Sequence, residues 1–211
     1  MNFLLVYQQG FPNLLDEIKN FLSSHKITTR ERESLKPALY ENKDLVVVLG
    51  GDGTFLRASH YNKGVAMFGI NPKPDRKEGY YMQATYKNYQ ELWGGVKKLQ
   101  TRELLRLAIK INGDHIKELA LNDVYIGDAK PYNMFNYDIK AGNKSEFQRS
   151  SGVLVGTPSG SSGWIGSAGL EINQQEKFGF IARELYRGEL TPEYRLEKGL
   201  VNKDQTIQIK A

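Results

Sequence analysis

Apolar residues in the first third of the chain fall in short runs separated by polar, glycine-containing breaks. Residues 3–7 form such a run, closed by Gln8-Gln9-Gly10, and predict a strand. Over 12–24, Leu14, Leu15, Ile18, Phe21 and Leu22 recur at helical spacing, with Pro12 tolerated in the first turn. Residues 45–49 (LVVVL) are continuously apolar and β-branched, the pattern of a strand covered on both faces. Residues 55–60 then read as helix and 65–70 as another buried strand, so strand and helix alternate as in a parallel α/β sheet. Residues 71–81 (NPKPDRKEGYY) carry two prolines and five charges and predict a surface loop, and 88–99 read as helix.

The pattern changes after about residue 102. Short alternating segments at 104–111, 118–126, 136–141, 153–155 and 206–209 predict antiparallel β structure, with a hairpin turn at Asn112-Gly113-Asp114. The expected fold class is therefore α/β plus β: an N-terminal Rossmann-like parallel domain over 1–100 and a C-terminal β-rich domain over 101–211.

Composition narrows the function. The chain has 211 residues with 40% hydrophobic and 25% charged positions, ordinary for a globular protein. It has no cysteine, which excludes disulfides and thiolate metal sites. The three histidines, His25, His60 and His115, are scattered without metal-ligand spacing, so no metal-ligating residues are expected. A net charge of +5 fits a solvated basic surface or a polyanionic partner. The absence of a long Lys/Arg block favours a small anionic ligand over nucleic acid. No apolar run approaches a membrane span, and the first residues lack the marks of a signal or transit peptide, so a cytoplasmic protein is expected.

Three segments carry candidate chemistry. A buried strand that ends in Gly50-Gly51-Asp52-Gly53-Thr54 and opens a helix suits phosphate: the glycines allow close backbone approach, and the helix start offers unpaired N–H groups. Asp52 in that turn reads either as a carboxylate that accepts a proton or holds Mg²⁺, or as a helix N-cap. Residues 150–164 (SSGVLVGTPSGSSGW) feed a short apolar run into Gly, Ser, Thr and Pro, ending at Trp164. Hydroxyls and amides there suit ribose and phosphate oxygens, and Trp164 suits stacking on a base; the plainer reading puts Trp164 in the core of a hairpin. Asn122-Asp123 interrupts an apolar run, and one of the pair is a candidate for sugar hydroxyls.

GGDGT at 50–54, Asn122-Asp123 and TPSGSSGW at 157–164 resemble, in order and approximate spacing, the NAD kinase family, which carries a GGDGT loop, an Asn-Glu pair and a TPTGSTAY-like loop. The sequence looks most like the divergent mitochondrial-type branch at 69–79 (GINPKPDRKEG), at 120–128 (ALNDVYIGD), at Ser150-Ser151-Gly152 and at Arg183-Glu184. The resemblance runs from about residue 44 to 185.

It implies a two-domain kinase with its active site in an interdomain cleft. Such an enzyme moves the γ-phosphate of ATP to the 2′-hydroxyl of the NAD adenosine ribose, with Mg²⁺. Asp52 would activate the hydroxyl, and Gly50, Gly51, Gly53 and Thr54 would line phosphates. Asn122 and Asp123 would hold ribose hydroxyls, and Thr157, Ser159, Ser162 and Trp164 would meet the dinucleotide. Family members are commonly homodimers or homotetramers. Asp123 stands where the family has Glu, and Trp164 where it has Tyr. Ser151 stands where many relatives have Asp. Gly79-Tyr80-Tyr81 occurs where a GHLGF loop is usual. The other readings compatible with these motifs are a catalytically weak NAD(P)-binding protein of the same fold and a diacylglycerol-type lipid kinase, which shares the glycine loop.

Overall fold

The computed structural model describes residues 1–95, 100–189 and 193–211. The chain divides into two compact units. The first comprises Met1–Glu103 and Ile109–Leu119, the second Leu104–Ala108 and Ala120–Ala211.

Unit 1 is built on one parallel sheet of β1 (Asn2–Tyr7), β2 (Lys26–Glu31), β3 (Leu45–Leu49), β4 (Met67–Asn71) and β5 (Ala84–Thr85), in the order β2-β1-β3-β4-β5. β3 is buried at all five positions, as expected of a central strand covered on both sides. On one face Phe3, Leu5, Val47, Leu49 and Phe68 pack with Ile18 of α1 (Pro12–Phe21) and Tyr89 of α3 (Tyr89–Gly94). Trp93 meets Phe3 and Phe68 in T-shaped contacts, with ring centroids 5.4 and 5.7 Å away. α2 (Asp52–Ser59) lies against β3 and β1 and buries Phe55 and Ala58. The helix expected over 88–99 is helical at Tyr89–Gly94, and residues 96–99 lie outside the described residues. β2 (KITTRE) was not expected. It is an edge strand with little apolar surface, so its only signal is its place beside β1.

This strand order reverses direction between β1 and β3. Open parallel sheets bind ligands at the carboxyl ends of the strands flanking that reversal.

Unit 2 is antiparallel. The expected hairpin joins β6 (Leu107–Ile111) to β7 (Asp114–Ala120) through Asn112 and Gly113, both with positive φ as a two-residue type I′ turn demands, and its residues 109–119 belong to unit 1. β10 (Lys144–Ser150), β9 (Phe135–Ala141) and β14 (Ile207–Lys210) make one sheet. β13 (Lys198–Asn202), β12 (Lys177–Arg183), β11 (Gly152–Gly156) and β8 (Asp123–Ile126) make another. Strand alternation sends Phe135, Tyr137 and Ile139 inward against Val153, Phe178 and Phe180. On the other face of β11, Leu154 packs with Ile165, Leu170, Ile172 and Ile181. One polar group is buried with its partners. The Tyr137 hydroxyl donates to Gln148 at 2.7 Å, and Gln148 donates to Glu146 and to the Leu196 carbonyl.

Candidate functional site

The carboxyl ends of four neighbouring strands in unit 1 meet at a cleft of 430 Å³. Gln8 follows β1, Arg32 follows β2, residues 51–54 follow β3, and Lys77 and Glu78 follow β4; all of them line it. The turn after β3 is tightly drawn. The Gly50 amide donates to the Ile70 carbonyl, while the amides of Thr54 and Phe55 donate to the Gly51 carbonyl and begin α2. A Cβ on Gly50 would collide with the Thr54 side chain, whereas one on Gly53 would meet nothing of the protein. Gly50 is thus required by the chain's own packing, and Gly53 leaves open space over the exposed helix start. Thr54 is 1% exposed, and its hydroxyl lies between the Gln8 side-chain oxygen (3.4 Å) and an Arg32 nitrogen (3.5 Å).

Gly51, and not Asp52, is the N-cap of α2. Asp52 is the first helical residue, and its carboxylate accepts the amide of Tyr80 at 3.1 Å and that of Tyr81 at 2.9 Å. The helix-capping reading therefore gives way to one in which Asp52 fastens the 71–81 loop to the glycine turn. A carboxylate has about four acceptor sites, so two amides leave room for a further donor. Tyr81 is buried and stacks on Phe55 at 5.1 Å, which seats the loop's far end on α2.

In unit 2 the turn at 157–163 folds on itself. The Thr157 hydroxyl donates to the Leu121 carbonyl and accepts the Gly160 amide, and the residue is fully buried. Its amide donates to the Asn122 carbonyl. Ser161 accepts the Ile172 amide, and Ser162 donates to the Ser159 carbonyl. Gly160 has no room for a Cβ because the Asn122 carbonyl occupies that place, and Gly156 packs under Ile165.

Asp123 sits at the start of α4 (Trp164–Ser167). Burial pushes its carboxyl above the ordinary carboxylate range, against the opposing pull of the Ile165 and Trp164 amides. Its Oδ2 is buried and, among the described residues, has no hydrogen-bond partner. Such an oxygen is costly unless a ligand donor meets it.

Trp164 is 46% exposed, which rules out the core reading. Its ring stacks on Tyr125 at 5.2 Å, and the Arg183 guanidinium lies 5.8 Å from its centre. Tyr125 in turn donates its hydroxyl to the Ser151 carbonyl and lies over Gly127 and Gly152, which have no space for side chains beneath it.

Of the residues singled out by sequence, Gly50, Gly51, Asp52, Gly53 and Thr54 stand together on the unit 1 cleft or its turn. Asn122, Asp123, Thr157, Ser159, Ser162 and Trp164 stand together in unit 2. Thr157 and Ser159 are buried, so they shape the turn. Gln8, Arg32, Lys77 and Glu78 were not anticipated; they are distant in sequence and converge only through the strand order. Among the described residues no cluster of three or more His, Cys, Asp or Glu forms a metal centre, and no helix is long and apolar enough to cross a membrane.

No family model matches the chain. It is 33% identical over 150 residues to "Probable NADH kinase" of Oryza sativa subsp. japonica, covering 60% of this chain and 46% of that protein. It is 30% identical over 193 residues to the NAD kinase of Treponema denticola, covering 84% of this chain and 67% of that protein. Thus it spans less than half of one relative's length and two thirds of the other's. Among solved structures, an NAD kinase from Archaeoglobus fulgidus in complex with ATP superposes with a TM-score of 0.78 at 24% identity, covering 99% of this chain and 80% of that one. That likeness carries the fold.

Proposed function

The chain belongs to the NAD kinase family, and from that premise we propose that it transfers the γ-phosphoryl group of ATP to the 2′-hydroxyl of the NAD adenosine ribose. The observation that carries this reading is the unit 1 cleft, with Asp52 held in its wall beside an open glycine turn and helix start. The turn's amides and the cations Arg32 and Lys77 suit the donor's phosphates. Asp52 accepts the proton of the ribose hydroxyl as that oxygen attacks phosphorus. The new O–P bond forms at the 2′-oxygen, the bond between the γ-phosphorus and the bridging oxygen breaks, and its electron pair leaves with ADP.

Mg²⁺ is commonly held by one or two carboxylates together with substrate phosphates, and Glu78 on the cleft fits that pattern. When bound, the ion would neutralise phosphate charge. Unit 2 supports the acceptor: Asp123 Oδ2 and the Asn122 side chain suit ribose hydroxyls, and Trp164 suits a stacked ring. The mitochondrial-type branch, a cytoplasmic location and a homodimer or homotetramer complete the reading, the branch resting on residues 69–79 and 120–128.

The test is incubation of the full chain with ATP, Mg²⁺ and NAD, with mass detection of products. NADP⁺ and ADP in equal amounts are expected. NAD binding without turnover would overturn the kinase in favour of a binding protein, and label transfer to diacylglycerol alone would favour a lipid kinase.

A further inference from the structure

The 71–81 loop does more than close one side of the cleft. Asn71, 2% exposed, donates to the Lys77 carbonyl and accepts the Lys73 amide, both at 2.9 Å. The Lys77 amide donates to the Lys73 carbonyl at 3.1 Å. Both backbone polar groups of Lys77 are therefore tied down. Gly79 follows with φ +70°, and a Cβ there would lie 2.7 Å from Asn71 Nδ2. Next come the two amides bound by Asp52. The Lys77 side chain runs over Gly51, its Cδ 3.1 Å from where a Cβ would stand. Arg32 is already paired with Glu33 at 2.9 Å, but among the described residues Lys77 ion-pairs with no carboxylate.

A lysine that only solvates a surface needs none of this. We propose that Lys77 is a phosphate-binding residue for the donor, and that Asp52 positions it by latching the loop that carries it. This rests on the kinase reading above. Gly51 is then glycine partly because the lysine stem occupies its side-chain space. The loop makes Asp52 and Lys77 one mechanical unit, so that proton acceptor and phosphate grip keep a fixed spacing.

Steady-state kinetics on the full chain test the first half, with ATP and NAD varied separately. Lys77→Ala is expected to raise KM for ATP about 10–100-fold, the scale of a lost charge-assisted hydrogen bond, and to leave KM for NAD within about 2-fold. Lys77→Arg should recover most of the loss. Calorimetric titration with inorganic tripolyphosphate, which needs no turnover, should weaken in parallel. Gly51→Ala should raise KM for ATP, and by less in the Lys77→Ala background, because the displaced side chain is gone.

Unchanged ATP KM and unchanged tripolyphosphate affinity in Lys77→Ala would overturn the assignment while NADP⁺ formation by the parent protein left the kinase reading intact. A parent protein that makes no NADP⁺, yet binds tripolyphosphate in a Lys77-dependent way, would uphold the assignment and sink the kinase reading. The latch is tested by backbone hydrogen exchange in Asp52→Ala. Faster exchange at Tyr80 and Tyr81 is expected, and unchanged exchange overturns the positioning role.

Discussion

At residues 50–54 and again at 156–166, a buried strand runs into a turn of glycines and hydroxyls and then into a helix, yet the two turns use their polar groups in opposite ways. The first keeps open space beside Gly53 and uses its carboxylate to hold a neighbouring loop. The second directs Thr157, Ser161 and Ser162 to its own or adjacent backbone and packs Gly156 and Gly160 against Ile165 and Asn122. What it leaves for a ligand is Asp123 Oδ2 and the exposed face of Trp164. A run of serines and glycines therefore does not mark a ligand surface by itself, since here most of its hydroxyls serve the backbone.

The sharpest way to break this contrast is Asp52→Asn. It removes the proton acceptor proposed above and sets an NH₂ against one of the two loop amides, so kcat should fall by about 10²–10⁴ with NAD affinity within a few-fold. Retained turnover would remove Asp52 from the chemistry. Thr157→Val should instead act on stability, lowering the unfolding free energy by about 1–3 kcal/mol because the buried Gly160 amide and Leu121 carbonyl each lose a partner. Denaturant titration reads it, and a stable variant with weakened NAD binding would make Thr157 a ligand contact after all.

Trp164→Ala should weaken dinucleotide binding by about 1–2 kcal/mol, the scale of lost aromatic stacking, and change stability less than Thr157→Val does. Unchanged affinity by calorimetry would confine the ring to its contacts with Tyr125 and Arg183. The smallest effect concerns Asp123. Its folded-state pKa is raised, so the native state holds the proton more tightly than the unfolded chain, and the parent protein loses stability as pH rises from the ordinary aspartate range through that raised value. Asp123→Asn removes the titration. Unfolding free energies across the acid range should shift in the variant's favour as pH rises, and a constant difference would show that burial does not control this carboxyl.

The central elements were legible because burial on both faces writes itself as continuous apolar sequence: β1, β3 and β4 are of this kind. Two polar strands were not. β2 and β10 (KSEFQRS) lie at sheet edges, where half or more of the side chains meet water. β12 and β13 are interrupted by Gly179 and Gly199, which look like loop residues in sequence. In the fold they make room for Leu170 and for the ring of Phe180. At the site, the motif residues could be named in advance because they are contiguous. Gln8, Arg32 and Lys77 could not, since only the β2-β1-β3-β4 order brings three separate loops to one mouth.

The seat of Tyr125 limits how unit 2 can be retuned. Because its ring fills the space that side chains at 127 and 152 would need, those positions are closed to ordinary variation, and Gly152 is closed twice over by its φ of +148°. Variation can enter instead at the exposed tier, through the size of residue 164 or the charge at 183, while the tier beneath acts as a fixed foundation.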